Sequence, residues 1–519
     1  MESISIRNLR SLKDTGDVEI KPLTVLLGKN SAGKSTFLRS FPLLRQSSEE
    51  KTLNDILWWG DYVDFGTFWE SLNNSAGDPV IEFSFRFSHP LRHMYFSMPS
   101  QARRPTRDHL NSLLEYRFHL KQSAEEHDVN SPIFSEYTIE QDGNVAYVLV
   151  DRELTLKKLQ VNGEDLLPLT QVRQVIRQAR LLPTILVHID DDEIIARIFN
   201  VVKSFAHHRV ADQTILDLIG GLTYGPRSSI ITQLKSADLG DVWRRRLRAL
   251  SADSDEIREI HRALFAISFN NIFDVVNSVL TASFSNVRYI TPLRASAERY
   301  YRQRAIAVDE IAPNGDNLAM FLKSLGEPEA RAFADWTADN MGFSVLVESH
   351  AGHVSILIED AERKTRVNLA DVGFGFSQVI PILAQVWQVT RRRRRNSPVF
   401  SQRDFAAQAP VIFLVEQPEL HLHPRMQGRL MELFYKVLIG ARRIGVDLRF
   451  IIETHSETMV AKTGQLLLAE EDLPLEDVVV YLFERDPLSP SNATISKSSF
   501  DGEGFLSNWP YDFFDGVGG

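Results

Sequence analysis

One segment near the start of the chain has residue types that bind phosphate. Gly28-Lys29-Asn30-Ser31-Ala32-Gly33-Lys34-Ser35 matches the spacing G-x-x-x-x-G-K-[ST], between an apolar run and a helical pattern. Its glycines permit the tight backbone curvature that turns N–H groups toward phosphate oxygens, and the dipole of the following helix adds attraction. Lys34 supplies a positive charge, and Ser35 supplies a hydroxyl for Mg²⁺. The predicted nucleotide-binding residues of this loop are Gly28, Asn30, Ser31, Gly33, Lys34, Ser35 and Thr36.

A second set of polar residues follows two apolar runs late in the chain. The run 411–415 ends in Glu416, and the run 448–452 ends in Glu453-Thr454-His455-Ser456. Short apolar runs are typical of buried parallel strands, and ligands bind at the edge of a sheet where such strands end. We therefore predict that Glu416 lies in the Mg²⁺ shell and that His455 lies at the same edge.

These motifs together resemble the ABC-type ATPases. They are most similar to a bacterial branch with Glu-Gln-Pro-Glu-Leu-His-Leu-His-Pro after the Walker B strand and Glu-Thr-His-Ser at the switch. This chain carries both segments, at 416–424 and 453–456. Asp371-Val372-Gly373-Phe374-Gly375-Phe376-Ser377-Gln378 looks like the ABC signature of that branch, and the motifs follow in the ABC order. The resemblance covers roughly residues 1–70 and 287–519.

The resemblance implies cofactors and a mode of assembly. ATP and Mg²⁺ are the implied cofactors, and two protomers are expected to pair head to tail or to build a higher oligomer. The signature of one protomer would then reach the γ-phosphate held by its partner, since a glycine-rich turn that opens a helix binds anions. The signature residues expected to do so are Gly373, Gly375, Ser377 and Gln378.

The residue after Glu416 departs from the pattern of most ABC-type ATPases, which place there a glutamate that polarises the attacking water. It is Gln417 in this chain, and a neutral amide cannot accept a proton as a carboxylate does. Either Glu419 takes over this task, or Gln417 only orients water and hydrolysis is slow. We favour slow hydrolysis, although the bacterial branch that this chain resembles commonly has the same Glu-Gln-Pro-Glu sequence. The predicted catalytic residues are Glu416, Gln417, Glu419 and His455.

Gln46 lies near the end of the first predicted helix. The resemblance offers it the role of a Q-loop glutamine that reaches Mg²⁺ or water, so the predicted metal-binding residues are Ser35, Glu416 and Gln46. A solvated glutamine at a helix end is an equally good interpretation.

The β/α pattern around these residues indicates an α/β fold, and the resemblance implies an ABC-type P-loop core in which helices flank a mixed sheet. The core is predicted to be discontinuous, from residues 1–70 and 287–519. Alternating apolar residues predict an antiparallel β lobe over 71–166. Residues 167–286 are predicted to form an inserted helical region. The helical spacing there is carried by Val172, Val175, Ile176 and Ala179.

The composition limits the chemistry. Of 519 residues, 43% are hydrophobic and 24% are charged, which is enough to bury a large core and more than one domain. The chain has no cysteine, which excludes disulfides, thiol nucleophiles and thiolate metal sites. Neither a signal segment nor a run of membrane-spanning length is visible, so we expect a cytoplasmic protein without membrane contact.

The formal net charge of -10 means that any contact with nucleic acid must be local. Two arginine clusters, at 391–395 and 244–248, are candidates for contact with the phosphate backbone of DNA or RNA. The alternative to nucleic-acid contact is that the first cluster lies in a solvated loop and that the second forms the charged face of a helix.

The motifs also bear on partners. No nuclease signature is visible, and the segment after His455 is too short for the Toprim nuclease domain of OLD-type ATPases. The chain resembles the ATPase subunit of Septu-type anti-phage systems, including those attached to retrons, in which the ATPase partners an HNH nuclease. This implies an ATP-hydrolysing oligomer that regulates a separate nuclease subunit in bacterial defence. Two alternatives remain open: a DNA-repair or loading ATPase similar to the RecF-like proteins, and an ATP-clamped scaffold without catalysis.

Overall fold

The N-terminal strands enter two different sheets. The computed structural model describes residues 1–52, 54–90, 112–124, 133–303, 308–360, 364–391, 409–469 and 472–508. The first elements are β1 (Ser3–Leu9), β2 (Leu12–Asp14), β3 (Val18–Glu19), β4 (Leu23–Gly28), α1 (Lys34–Glu49) and α2 (Phe68–Ser71). β1 pairs antiparallel with β2 and β3, whereas β4 lies between two parallel strands of the central sheet. The phosphate-binding loop therefore connects that central sheet to α1.

The lobe is an antiparallel sheet. Its further strands are β5 (Val80–Pro90), β6 (Leu113–Ala124), β7 (Ile133–Gln141), β8 (Asn144–Val150), β9 (Leu156–Val161) and β10 (Glu164–Asp165). The strand order is β10-β9-β8-β7-β6-β5-β1-β2, with β3 also paired to β1. Successive side chains of β6 alternate between buried and more exposed positions, so one face of the sheet packs on the core. Strands β1 to β3 thus belong to the lobe sheet, although residues 1–70 were predicted to belong to the ATPase core.

The region after the lobe begins with a β-hairpin. β11 (Thr170–Ile176) pairs antiparallel with β12 (Thr184–Ile189). The prediction of a helix at Val172, Val175 and Ile176 is therefore wrong, and Ala179 lies in the connection between the two strands. These β-branched residues fit a helical period by coincidence, but their restricted χ1 angles favour extended backbone once a neighbouring strand is available.

Helices follow the hairpin and join the lobe to α1. They are α3 (Asp192–Phe205), α4 (Asp212–Ile219), α5 (Arg227–Lys235), α6 (Asp241–Ala249), α7 (Asp255–Ile267) and α8 (Phe269–Ser285). The ring of Phe284 on α8 lies 5.5 Å from Phe85 of β5 and 6.4 Å from Phe41 of α1. Among the described residues, no single helix is long and apolar enough to cross a membrane, and only α7 and α8, taken as one bent pair, meet those criteria.

The rest of the chain builds the central sheet and its cover. The elements are β13 (Val287–Ile290), β14 (Tyr301–Arg302), α9 (Leu318–Ser324), α10 (Glu327–Met341), β15 (Phe343–His350), β16 (His353–Asp360), β17 (Arg366–Asn368), α11 (Phe374–Arg391), β18 (Val411–Glu416), α12 (Pro424–Arg443), β19 (Leu448–Glu453), α13 (Glu457–Ala469), β20 (Val478–Asp486) and β21 (Ser489–Ser498). The central sheet has the order β13-β18-β19-β4-β20-β21, and only β21 is antiparallel. β14 to β17 form a separate antiparallel sheet.

Both faces of the central sheet are buried. Ile412 and Leu414 of β18 pack with α1 and the lobe, whereas Phe413 and Val415 pack with the helices on the other side. The mixed sheet with flanking helices, predicted from the apolar runs, is confirmed. Because parallel strands end at the same edge, the phosphate loop, Glu416 and the 453–456 segment meet there.

The position of Phe284 generates a prediction on stability. Replacing this buried ring by Phe284→Ala leaves a cavity between the lobe and α1, and we expect the free energy of unfolding to fall by about 3–5 kcal/mol. Denaturant titration of both proteins measures the difference. Phe505→Ala is the matched control, because the Phe505 side chain is 66% exposed and its removal should change stability little.

Candidate nucleotide-binding site

Two glycines set the shape of the phosphate loop. At Gly28, where φ is 142°, a Cβ atom would lie 2.0 Å from the carbonyl oxygen of Phe483, so only glycine fits. Gly33 has φ 93° and precedes the first turn of α1, where a Cβ would press on Leu12 and Ser11. The glycines of the motif are therefore needed both for backbone curvature and for close packing against β20 and β2.

Lys34 and Ser35 open α1 and point toward the strand ends. The buried ammonium of Lys34 donates to the carbonyls of Gly28 at 2.7 Å and Lys29 at 2.8 Å. Burial lowers the pKa of Lys34 from its ordinary value, and the nearby carboxylates of Glu453 and Glu419 oppose this effect. These two hydrogen bonds hold the ammonium group of Lys34 against the backbone of the phosphate-binding loop.

The Glu416 carboxylate is held by an arginine. Arg39 of α1 donates through two nitrogens to the two carboxylate oxygens, each at 2.8 Å, and the Tyr289 hydroxyl donates to Oε1 at 2.6 Å. The hydrogen bonds to Glu416 raise the pKa of Arg39 above its ordinary value. Both carboxylate oxygens of Glu416 are thus bonded to Arg39 in this structure, and the role of Glu416 in the Mg²⁺ shell stays a prediction.

Glu453 is the carboxylate that contacts Ser35. The Ser35 hydroxyl donates to Glu453 Oε1 at 2.8 Å. Burial raises the pKa of Glu453 to about 7, and the neighbouring charge of Glu416 acts in the same direction. Glu453 was not among the predicted site residues. Its signal was present, because Glu453 follows an apolar run in the same way as Glu416.

Glu419 forms hydrogen bonds with the switch segment, residues 453–456. Its Oε1 accepts the backbone N–H of His455 at 2.7 Å, and its Oε2 accepts the hydroxyl of Thr454 at 2.8 Å. Burial raises the pKa of Glu419 above its ordinary value. Burial, together with the charge of Lys34, lowers the pKa of His455 to about 4, so this imidazole is neutral at pH 7.

Gln417 and Arg294 complete the turn after β18. Gln417 has φ 43° and donates its backbone N–H to the carbonyl of Glu453 at 2.8 Å, which fixes the turn over β19. Arg294, which the sequence analysis did not assign, is buried and donates to the backbone carbonyl of Glu416 at 2.8 Å. Burial lowers the pKa of Arg294 to about 10. The site therefore contains two buried cations, Lys34 and Arg294, together with the half-buried Arg39.

The signature segment packs against this turn within the same chain. A Cβ at Gly375 would lie 2.6 Å from the carbonyl oxygen of His421, and the Phe374 ring lies 4.8 Å from the His421 ring. Ser377 and Gln378 are buried: the Ser377 hydroxyl bonds to the Phe374 carbonyl, and the Gln378 amide bonds to the backbone of Arg294. Gly373, in contrast, is exposed, and the contact of the signature residues with a partner's nucleotide stays a prediction.

Gln46 is neither a metal ligand nor a solvated residue. It is buried three turns along α1 from Lys34, about 18 Å by helical rise. Its amide nitrogen donates to the carbonyls of Leu57 and Val63, and its oxygen accepts the backbone N–H groups of Tyr62 and Val63. The metal prediction for Gln46 is corrected by this geometry, because the amide is fully used in holding the segment 57–63.

A comparison with protein-family models identifies the family of the chain. Residues 1–139 and 297–460, more than half of the chain, match the model described as the AAA ATPase domain. The chain belongs to this family. Membership of the AAA ATPase domain family implies nucleotide binding, and the predicted α/β fold class with a P-loop core is confirmed. A comparison with curated proteins found no match.

Solved structures of SMC head domains are similar to the chain. One is an SMC head bound to the C-winged helix domain of ScpA, with 11% identity, coverage of 96% of this chain and 98% of that chain, and a TM-score of 0.34. Another is the SMC head domain from Thermotoga maritima, with 8% identity, coverage of 95% and 97%, and a TM-score of 0.32.

The donor groups at this edge fit a nucleoside triphosphate with Mg²⁺. Loop N–H groups and Lys34 suit phosphate oxygens, while the Ser35 hydroxyl and the Glu453 carboxylate are oxygen donors of the kind that Mg²⁺ prefers. The metal supplies positive charge that neutralises the phosphates when bound. Within the described ranges, no cluster of three or more His, Cys, Asp or Glu side chains offers a further metal site.

Lys34 provides the direct test of the phosphate site. We expect Lys34→Ala to weaken ATP binding by about ten- to hundredfold, because a charge-assisted contact with phosphate is lost. Titration calorimetry with ATP measures the change. Lys436→Ala is the control, since this lysine on α12 pairs with Glu432 on the same helix and should not affect binding. Equal ATP affinity in the two variants would contradict the site.

Proposed function

We propose that the chain is an ABC-type ATPase that assembles with further copies of itself around ATP and regulates a separate effector in the cytoplasm. The observation that carries this proposal is the convergence of Lys34, Ser35, Glu453 and Glu419 at one edge of a parallel sheet. The effector we propose is an HNH nuclease in bacterial anti-phage defence. This part is supported by the resemblance of segments 416–424 and 453–456 to that branch of ATPases.

We propose that hydrolysis is slow. Gln417 cannot accept a proton, and both carboxylate oxygens of Glu419 already accept hydrogen bonds from the switch segment. The raised pKa of Glu419 brings this group closer to the working pH of a general base, so Glu419 is the residue to which we assign the residual turnover.

The proposed self-association uses the exposed end of the signature. Gly373 is exposed, and the Phe374 side chain is 48% exposed beside the site. An exposed aromatic ring next to a phosphate-binding edge suits contact with a second copy. This interface would bring a partner to the nucleotide without displacing the buried side chains of Ser377 and Gln378.

Light scattering with ATP and Mg²⁺ tests the assembly. We expect at least twice the mass of a single chain in the presence of ATP, and we expect Phe374→Glu to abolish this increase while nucleotide affinity is retained. Phe505→Glu changes another exposed phenylalanine, which lies elsewhere on the surface, and this variant should still assemble. A mass that does not respond to ATP would refute the proposed assembly.

Purification with the products of neighbouring genes tests the effector. Co-elution of an HNH nuclease, with nuclease activity that changes in Lys34→Ala, is the expected result. A chain that instead loads onto DNA ends with no nuclease partner would favour the repair or loading alternative, and ATP binding without any turnover would favour the scaffold.

A local contact with nucleic acid is a second candidate function. Buried Trp243 and Leu247 anchor α6, which leaves Arg245, Arg246 and Arg248 exposed. In the described part of the chain, these three arginines have no ion-pair partner, although the protein carries a net charge of -10. Such a cluster suits a phosphate backbone. The other cluster lies almost entirely outside the described residues.

Replacing these three arginines by alanine should weaken binding to duplex DNA or RNA about equally for all sequences. The slope of log K against log salt should fall by about 2–3, as expected for three phosphate contacts. Fluorescence anisotropy over a salt series measures both effects. The matched control is the triple alanine variant of Arg331, Arg442 and Arg443, which are exposed but paired with acidic residues. Equal binding by the two triple variants would argue against α6 as the contact.

A further inference from the structure

The hairpin that opens the inserted region belongs to neither of the large sheets. Among the described residues, β11 pairs only with β12, and an isolated two-stranded hairpin is only marginally stable in water. Side chains alternate between faces and Gln174 lies opposite Leu186, so Val172, Gln174, Ile176 and Leu186 share one face. The three apolar side chains of this face are 39% to 47% exposed. The hairpin thus presents an uncovered apolar face.

The two edges of this hairpin differ. On β12, the side-chain amide of Asn270 from α8 accepts the backbone N–H of Val187 at 3.2 Å and donates to its carbonyl at 2.6 Å. The backbone groups of Val187 therefore point away from β11. Arg173 lies opposite Val187, so its own N–H and C=O point away from β12, and those of Val175, two residues on, do the same. Within the described ranges, these groups of β11 have no hydrogen-bond partner outside the hairpin.

The sequence of β11 does not protect this open edge. Exposed edge strands are usually blocked by short length, by charge or by proline. The lobe sheet follows this rule, because its edge strand β10 consists only of Glu164 and Asp165, which are both exposed. β11 spans seven residues, contains no proline and has a single charged residue, Arg173. Its edge is therefore suited to pairing with a further strand.

A second copy of β11 fits this edge in one register. Antiparallel pairing about a two-fold axis at Gln174 sets Arg173 opposite Val175 of the second copy, and both residues have the outward backbone groups that such a pair exchanges. Val172 then lies opposite Ile176 of the second copy, and the apolar face becomes continuous across both hairpins. An axis at Arg173 would instead oppose two guanidinium groups, which is unfavourable. An axis at Val175 would shorten the shared length of strand.

The charge around the hairpin permits this approach. The chain has a net charge of -10, but no acidic residue occurs from 166 to 189, a stretch with three arginines. The exposed residues Asp190 and Asp192 follow β12 at one end of the hairpin. Antiparallel pairing places this end of each copy beside the acid-free connection of the other, whereas parallel pairing would bring the acidic ends together. Charge therefore favours the same two-fold arrangement.

We propose that β11 pairs with β11 of a second copy of this chain, antiparallel about a two-fold axis at Gln174, in a contact that needs no nucleotide. This interface goes beyond the proposed assembly around ATP, because it uses neither the phosphate loop nor the exposed end of the signature. Two separate self-contacts on one chain allow ATP to join pairs into a larger assembly.

Cross-linking through a single introduced thiol tests the register, because the chain has no cysteine. In Gln174→Cys the two thiols lie opposite each other at the axis, where Cα atoms about 4.5 Å apart suit a disulfide. Gln178→Cys is the matched control, since this glutamine is also exposed but would lie roughly 20 Å from its copy. Under mild oxidation without nucleotide, we expect a covalent dimer to form about tenfold faster in Gln174→Cys. Equal rates, or no covalent dimer from Gln174→Cys, would overturn the proposal.

Sedimentation equilibrium of the full chain without nucleotide tests the strand edge itself. Arg173→Pro removes the outward N–H, whereas the matched variant Arg173→Ala removes the same guanidinium and keeps that N–H. Proline is tolerated on edge strands, so we expect both variants to fold and Arg173→Pro to raise the Kd of the dimer about ten- to thirtyfold above that of Arg173→Ala. Equal Kd values in the two variants would refute pairing through this edge.

The unaltered chain and Phe374→Glu complete the test. Both should dimerise without nucleotide, so loss of the ATP-dependent mass increase in Phe374→Glu and loss of this contact in Arg173→Pro are separate results. An unaltered chain that stays monomeric without nucleotide at about 0.1 mM would overturn the self-pairing and leave the edge to an extended segment of another protein.

Discussion

The parallel register of β18, β19 and β4 is the constraint on which the site depends. It aligns Glu416, Glu453 and Leu26 across three strands, so that Ser35 and Glu453 form a hydrogen bond although they lie 418 positions apart in the chain. A slip of one residue in any of these strands would turn its side chains to the opposite face. Such a slip would also move Glu453 out of level with Leu26 and away from the hydroxyl of Ser35.

That register also creates an electrostatic problem. It places two buried carboxylates side by side, and like charges at such a distance oppose each other's ionisation. Arg39, in the second turn of α1, neutralises the charge of Glu416 directly. Lys34 is turned toward loop carbonyls and only approaches Glu453, so the second carboxylate lacks an equivalent partner. The uneven distribution of positive charge is what distinguishes two glutamates that look alike in sequence.

The sequence predicts the backbone of this site better than its side-chain pairing. Glycine spacing and two apolar runs are enough to predict the loop, the strands and their common edge, because these depend on local sterics and burial. Pairing of Arg39 with Glu416 and of Ser35 with Glu453 depends on strand order, which no local pattern encodes. Gln46 was misassigned for the same reason, since its partners at 57–63 become neighbours only after folding. The hairpin at 170–189 was missed because β-branched residues also matched a helical period.

A row of aromatic rings joins the antiparallel lobe to the phosphate loop. Phe85 contacts Phe284, Phe284 contacts Phe41, Phe41 contacts Phe37, and Phe37 contacts Phe483, whose carbonyl leaves no room for a side chain at position 28. Closely packed interiors are stiff and pass displacement from one layer to the next. A displacement of the lobe or of the inserted helices would therefore move the backbone beside Gly28, so the outer layers of the molecule are mechanically linked to its phosphate-binding loop.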